Sequence, residues 1–379
     1  MLIYNAQIIT MDAAGVIENG WLETENGKIK TIAAGVPDFI PEDSLDAEGG
    51  TLLPGFIDAH THLGIIEDGV DFEGDDCNES TDPFTPQMRA IDGINPFDRC
   101  FEEARMRGIT AAASSPGSAN ACGGEICAIK TAGRRIDDML IKNCGIKFAL
   151  GENPKRVYND RDETPMTRMA TTALIREGLY KARRYAHDMD SYYSDNDNYD
   201  PPEYDIKCEA LMELLSRKQK AFFHCHRADD ICTAMRISKE FGLDAVIIHG
   251  TEGWKIADII AGEKLPVICG PILCDRCKPE MRGLELKNAA ELAKNGVKIA
   301  VCTDHTVIPI QYLPLSAQAA VKGGLDRETA LRALTIDAAE ILGIEETVGS
   351  LAEGKDADIQ LYAAGTDPQL DRQIIRFLP

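Results

Sequence analysis

The sequence contains no apolar run close to the roughly 18 residues that a transmembrane helix requires. Its first residues, MLIYNAQIITMDAAG, also lack the basic region and the long apolar stretch of a secretory signal. We therefore expect a cytoplasmic protein that has no membrane partner.

Basic residues are few relative to acidic ones, with 40 Lys and Arg against 62 Asp and Glu, a formal net charge of −22. A surface of this sign repels phosphate backbones and anionic lipids, which argues against nucleic-acid binding. The expected partners are a small-molecule substrate and further copies of the same chain in a homo-oligomer.

The 12 cysteines are scattered through apolar or strand-like segments and do not form the dense framework of a small secreted domain. We expect reduced thiols. Cys274 and Cys277 have CxxC spacing, but no second pair of ligands lies near them in the sequence, so chance or packing is favoured over a structural zinc site.

The pattern of strands and helices predicts an α/β protein with a (β/α)₈ TIM-type barrel. Short apolar runs typical of strands buried on both faces alternate with helical stretches such as 167–185 and 229–241. The eight predicted strands are 55–60, 109–114, 125–130, 146–151, 221–224, 245–249, 266–270 and 297–303.

The two ends of the chain have a different texture, with β-forming residues interrupted by Gly, Asn and Pro. We predict that residues 1–53 and 345–379 build one small composite β-domain, and that residues 54–344 form the barrel. The acidic segment 188–205 is predicted to be a mobile surface insertion, with a lid or a weak cation site as alternatives.

Six of the seven histidines fall at or just after the predicted carboxyl ends of barrel strands, where barrel enzymes carry their sites. The seventh, His187, is expected on the surface of a helix. Neutral imidazoles and a carboxylate at separate strand ends suit zinc and neighbouring transition metals. The sequence therefore predicts a metal site built from His60, His62, His224, His249 and Asp304.

The motifs LLPGFIDAHTHLG, HCH, IIHGTE and TDH, in this order, resemble the metal-dependent amidohydrolase superfamily. The nearest branch is the prolidase-like and imidazolonepropionase-like amidohydrolases, and stretches such as SSPGSANACGGE and LGENPKRVY resemble an uncharacterised subgroup there. The resemblance implies one or two divalent ions, with zinc favoured over manganese, iron or cobalt. It also implies a carbamylated lysine that bridges two ions. Lys147 in GIKFALGE fits this role, and Glu152 is the competing candidate.

One departure from the family pattern lies three residues after His224. Mononuclear deaminases and imidazolonepropionase resemble each other in an acidic residue there, whereas this chain has Arg227. The departure favours a two-metal hydrolase. Arg227 is a candidate for binding a substrate carboxylate, as are Lys155 and Arg156, although pairing of Arg227 with Asp229 or Asp230 is an equal alternative.

The resemblance thus implies a hydrolase of an amide or cyclic amide C–N bond in a small, carboxylate-bearing substrate. Asp304 would shuttle the proton, and His226, His249 or a lysine would hydrogen-bond the developing oxyanion. The alternatives are an imidazolonepropionase-like ring hydrolase or deaminase, and a catalytically silent relative with an assembly or regulatory role.

Overall fold

The computed structural model describes residues 1–366 and 374–378, which form two sheets surrounded by helices. The strands are β1 (Leu2–Ile9), β2 (Val16–Glu25), β3 (Lys28–Ala34), β4 (Leu45–Asp46), β5 (Thr51–Pro54), β6 (Phe56–Thr61), β7 (Ile109–Ser114), β8 (Cys122–Lys130), β9 (Leu140–Ala149), β10 (Lys220–Cys225), β11 (Ala245–His249), β12 (Val267–Cys269), β13 (Ile299–Val301), β14 (Ile359–Tyr362) and β15 (Ile374–Leu378).

The α-helices are α1 (Arg99–Arg105), α2 (Ile136–Met139), α3 (Glu152–Asn159), α4 (Arg168–Ser194), α5 (Ile206–Leu215), α6 (Ala228–Phe241), α7 (Ala257–Gly262), α8 (Asn288–Lys294), α9 (Leu313–Lys322), α10 (Arg327–Arg332) and α11 (Ile336–Leu342). Within the described ranges, no helix is both long and apolar enough to cross a membrane.

The smaller sheet is built from the N-terminal and C-terminal segments of the chain. Its strand order is β15-β14-β5-β1-β2-β3, and β4 also pairs with β1. Strand β14 joins the two parts by pairing antiparallel with β5. A second sheet with strands from both chain ends is thus present. The exact limits of the composite domain stay a prediction, and residues 367–373 and 379 of it lie outside the described residues.

The larger sheet contains eight strands in sequence order, β6 to β13, and forms a nearly closed barrel. The prediction of an all-parallel barrel is wrong at one strand, because β8 pairs antiparallel with both β7 and β9. The reason is the short connection at residues 115–121. A parallel pair needs a crossover of a dozen or more residues, usually a helix, and this connection cannot supply one.

Strands β6 and β13 meet at the last seam of the barrel through residues just beyond β13. The Asp304 amide donates to the carbonyl of His60 at 3.2 Å, and the His62 amide donates to the carbonyl of His305 at 2.7 Å. These bonds bring the ends of the first and last barrel strands together, and with them three of the predicted metal ligands.

Alternation along the strands separates an inner core from an outer one. Phe222 belongs to the cluster inside the barrel, whereas Phe223 packs outward with Phe148 against the helices. His224 therefore shares the inner side with Phe222. By the same rule, Lys147 lies opposite Phe148 and on the inner side of β9. Helix α4, longer than predicted, extends through the first part of the acidic segment to Ser194.

Candidate metal centre

The first cluster of ligand-type side chains joins the ends of β6 and β13. Oδ1 of Asp304 lies 3.3 Å from Nε2 of His60 and 3.5 Å from Nε2 of His62. The ligand-type atoms of these three residues all lie within 4.8 Å of one another. This geometry brings together the HxH pair and the strand 8 aspartate that the sequence analysis assigned to one site.

The second cluster joins the ends of β10 and β11. His224, His226 and His249 are all buried, and one ring nitrogen of each lies within 4.8 Å of the other two. The rings of His226 and His249 stack at 4.6 Å, and the ring centroid of His249 lies 5.4 Å from that of His60. The two clusters are therefore neighbours at one end of the barrel.

Hydrogen bonds to protein oxygens orient several of these imidazoles. Nδ1 of His62 lies 2.7 Å from the carbonyl of Ser115, and Nδ1 of His249 lies 2.6 Å from the carbonyl of Gly270. A carbonyl only accepts, so Nδ1 carries a proton in both rings, and Nε2 of the neutral His249 ring presents its lone pair. Outer partners of this kind are typical of metal-ligating histidines.

The electrostatics of the two clusters differ. Burial lowers the pKa of His249 to about 4 and holds the pKa values of His224 and His226 well below the usual range, so these rings are neutral at pH 7. Burial also opposes the charged form of His62, but Cys77 and Asp304 outweigh it and raise the pKa of His62 to about 10. The first cluster therefore attracts positive charge.

Lys147 lies beside the first cluster and is only 1% exposed. Its Nζ is 3.3 Å from Nε2 of His60 and 3.4 Å from Oγ of Ser115. Within the described part of the chain, no carboxylate forms an ion pair with this amine. Burial lowers its pKa to about 8. The charge of Asp304 opposes this shift, but Lys147 forms no ion pair within the described residues.

Two residues of the site adopt a left-handed backbone conformation, which residues other than glycine rarely adopt. The φ angle is +73° at His249 and +55° at Asp304. Val246 and Ile248 face the inside of the barrel, so simple alternation would direct His249 outward, away from the other ligands. Such strained conformations concentrate at functional sites.

Asp58 connects the two strands that carry the first cluster through hydrogen bonds. Its buried carboxylate accepts the Thr303 hydroxyl at 2.5 Å and the Thr303 amide at 3.2 Å. It also accepts the His60 amide at 3.4 Å. These bonds tie the ends of β6 and β13 together and set the positions of His60 and Asp304.

The remaining predicted site residues are not members of either cluster. Glu152 is at the start of α3, where its Oε2 accepts the amide of Glu280 at 3.3 Å. Arg227 forms a two-bonded ion pair with Asp229, both bonds being 2.8 Å long, which matches the alternative pairing left open by the sequence. Lys155 is half-buried and Arg156 is exposed on α3. His187 is exposed, as predicted.

The sequence analysis missed three polar residues beside the second cluster. Asn153 Nδ2 lies 3.4 Å from Nε2 of His224, and Asn153 Oδ1 accepts Nζ of Lys278 at 3.2 Å. Lys278 pairs with the buried Glu280 at 2.9 Å. Lys278 and Glu280 come from the loop after β12, more than 50 residues from His226, and no motif in the sequence marks them.

A cavity of about 770 Å³ lies beside the first cluster. Cys77, which contributes to the raised pKa of His62, lines it together with Pro116 and Gly123. A Cβ placed on Gly123 would lie only 3.9 Å from the Lys147 side chain. The volume is sufficient for a small molecule. Five acidic residues also line the cavity, namely Glu73, Asp75, Asp76, Glu79 and Asp92.

An eight-stranded barrel that carries two groups of ligand-type side chains at its strand ends is typical of metal-dependent barrel enzymes. Residues 210–376 match the model of the amidohydrolase family. The crystal structure of an amidohydrolase from Thermotoga maritima MSB8 superposes with a TM-score of 0.91 and 39% sequence identity, covering 97% of this chain and 95% of that one. The chain belongs to the amidohydrolase family, whose members are hydrolases acting on C–N bonds.

Two curated relatives are more distant. Amidohydrolase tasK of Hapsidospora irregularis is 29% identical over 92% of this chain, which spans only 38% of that protein's length. Imidazolonepropionase of Geobacillus thermodenitrificans is 25% identical over 95% of this chain and 87% of its own. A prolidase in complex with N-methylphosphonate-L-proline shares the fold, with a TM-score of 0.60 at 15% identity over 99% of this chain and 96% of that one.

Proposed function

We propose that this protein is a metal-dependent hydrolase that cleaves the C–N bond of an amide or cyclic amide in a small, carboxylate-bearing substrate. The observation that carries the proposal is the meeting of two ligand clusters, with the buried Lys147 and the half-buried Asp304 beside His60. Family membership supports the C–N bond as the point of cleavage.

The side chains fit divalent cations. His60, His62 and Asp304 would hold one ion, and His224 and His249 a second, with zinc favoured by the imidazole-rich set. Nε2 of His226 is buried and has no hydrogen-bond partner in the described residues, as expected for a group that awaits a ligand. Such ions polarise a carbonyl and lower the pKa of a water molecule.

The environment of Lys147 supports a bridging carbamate. Carbamylation requires a neutral amine, and a pKa of about 8 makes the neutral form accessible near physiological pH. We favour Lys147 over Glu152, because Lys147 contacts His60 whereas Glu152 contacts Glu280.

Asp304 is the proton carrier in this proposal. Burial raises its pKa, but His249 and the bonds from His60 and His62 outweigh burial and hold the pKa well below its usual range. The carboxylate is therefore ionised and ready to accept. Oδ1 faces both imidazoles, so we assign Oδ2 to take the proton from the attacking water and return it to the leaving nitrogen.

Lys278 replaces Arg227 as our candidate for binding the substrate carboxylate. It is 20% exposed and lies beside the second cluster, where its charge lowers the pKa of His224, His226 and His249. Arg227 is committed to Asp229 at the helix start. Location in the cytoplasm and assembly as a homo-oligomer stay predictions from the sequence.

The test is a hydrolysis screen with zinc-loaded protein. The panel contains N-acyl amino acids, dipeptides and lactam acids, each with its neutral amide or ester analogue. We expect the acids to be hydrolysed in preference. If the neutral analogues are better substrates, the assigned substrate class is wrong.

A second candidate function is ring hydrolysis of the imidazolonepropionase type, favoured by the relative that aligns along 95% of this chain. Arg227 in place of an acidic residue argues against it. Including a cyclic imidazolone in the same panel distinguishes the two, because only the second candidate requires this compound to be the best substrate. A catalytically silent relative would hydrolyse no compound and would have no need to keep metal.

A further inference from the structure

A buried carboxylate, that of Glu280, lies beside His224 and His226 of the second cluster and has no part in the proposed function. We infer that Glu280, from the loop after β12, is a direct ligand of the second cation together with His224, His226 and His249. This inference rests on the proposed function, since it concerns the same centre, but it adds Glu280 and His226 to the ligand set.

The distances fit a shared ion better than direct hydrogen bonds. Oε1 of Glu280 lies 3.6 Å from Nε2 of His226 and 3.8 Å from Nε2 of His224. Both separations exceed hydrogen-bond length. Two ligands about 2.1 Å from a tetrahedral ion would lie about 3.4 Å apart. The observed separations are therefore within a few tenths of an ångström of those in a coordination sphere.

An unsatisfied atom points to the same place. Nε2 of His226 is buried without a hydrogen-bond partner among the described residues, and Oε1 of Glu280 beside it has the Lys278 ammonium at 2.9 Å as its close partner. The two side chains are 2% and 1% exposed. The Thr251 hydroxyl already contacts Nδ1 of His226 at 2.7 Å, which directs Nε2 toward Glu280. Buried polar atoms are rarely left without a partner, so a cation bound here would satisfy Nε2 of His226 and would take the place of the Lys278 ammonium at Oε1 of Glu280.

Glu280 is also held firmly enough to act as a ligand. Its other oxygen, Oε2, accepts the amide of Glu152 at 2.9 Å, and Lys278 is its only ion-pair partner besides the histidines in the described ranges. A cation that binds Oε1 would compete with Lys278. The lysine would then keep Asn153 and become available to a substrate carboxylate, which links this site to the proposed substrate.

The chain offers a closely matched control in Glu252. This buried carboxylate also accepts a backbone amide, that of Ala228 at 3.2 Å, and also pairs with a lysine, Lys255 at 2.6 Å. It is not among the side chains of either cluster. Glu252→Gln therefore removes a buried charge of the same kind without removing the inferred ligand.

The experiment measures metal content and affinity rather than turnover. Wild type, Glu280→Gln, His226→Gln and Glu252→Gln are stripped with chelator, dialysed against buffered Zn²⁺ and analysed by plasma mass spectrometry. Absorption spectra after Co²⁺ titration report the coordination of each ion. We expect two ions in wild type and Glu252→Gln. In the other two variants the affinity for the second ion should fall more than about 100-fold, beyond the 10- to 100-fold effect of an outer-shell group.

The failures are distinguishable. Wild-type protein that holds no ion overturns the proposed function itself. The inference alone is overturned if wild type and Glu280→Gln both bind two ions and give the same Co²⁺ spectrum. It is also overturned if wild type binds a single ion. Circular dichroism establishes that each variant is folded, and His226→Gln tests the same site if Glu280→Gln does not fold.

Discussion

Lys147 should destabilise the metal-free protein, and its replacement should make that cost measurable. The amine is buried on the inner side of β9 and lacks a carboxylate partner in the described residues, so its charged form is held in unfavourable surroundings. Met has a similar length and no charge. Lys147→Met therefore fills the same space. Two buried atoms lose their contact with the amine, but Oγ of Ser115 still donates to the carbonyl of Pro116 at 2.9 Å, and Nε2 of His60 still lies 3.3 Å from Oδ1 of Asp304.

The magnitude follows from the pKa of the amine, which burial lowers from 10.5 to about 8. Each unit corresponds to about 1.4 kcal/mol, so the folded protein loses about 3 kcal/mol at pH 7 by keeping this lysine charged. The unfolded chain binds the proton more tightly than the folded one. The penalty is thus fully present below pH 8 and disappears as the pH rises from about 8 to 10.5.

Urea unfolding in the presence of chelator should show Lys147→Met to be about 3 kcal/mol more stable than wild type at pH 7. In excess Zn²⁺ the order should reverse, because only wild type gains the full free energy of ion binding, about 4 kcal/mol at 1,000 times Kd. Lys220→Met is the control. Its amine donates to two helix carbonyls at 2.9 Å, so this change should destabilise the protein. A Lys147→Met protein less stable than wild type in chelator would refute the reasoning.

Three further outcomes are expected. Asp304→Asn should lower kcat about 10²- to 10⁴-fold on any substrate found in the screen while retaining part of the metal, and near-normal turnover would exclude proton transfer by this group. Lys278→Met should raise KM for a carboxylate substrate about 10-fold or more and leave KM for its neutral amide nearly unchanged; equal changes in both would contradict the assignment. Lys130→Met should lower the free energy of unfolding by about 1–2 kcal/mol in urea titrations, because Asp356 and Asp358 lose their shared ammonium; no measurable change would show that the triad is fully solvent-screened.

Sequence reasoning was most successful where function and local pattern coincide. His60 and His62 alternate at the end of one strand, and His224, His249 and Asp304 each end an apolar run, so the parallel part of the barrel brings them to one end. Lys147 attracted attention because a lysine in the middle of a buried strand is costly without a special role; its burial is observed, whereas its role as a bridge stays a prediction.

The direction of β8 was not predictable from its composition. Its apolar residues fit a parallel or an antiparallel strand equally well, and only the length of the preceding connection distinguishes the two. Segment 115–121, with its Gly and Pro residues, contains no helical pattern, so loop length was the signal available. Residues that complete the site through long-range folding, such as Glu280, left no local pattern at all.

The substrate-binding cation illustrates a more general limit. Arg227 directly follows the HCH motif, and this position in the sequence predicts contact with a substrate. However, Asp229 lies two residues away on the same helix start, where a guanidinium can form two hydrogen bonds to one carboxylate with almost no loss of chain entropy. Lys278 also has a carboxylate partner, but that partner, Glu280, lies against two histidines that are themselves ready to bind a cation. Under the proposed function, the charge that serves the substrate is thus decided by competition for carboxylates, and this competition is visible only once the loop after β12 is placed over the ends of β10 and β11.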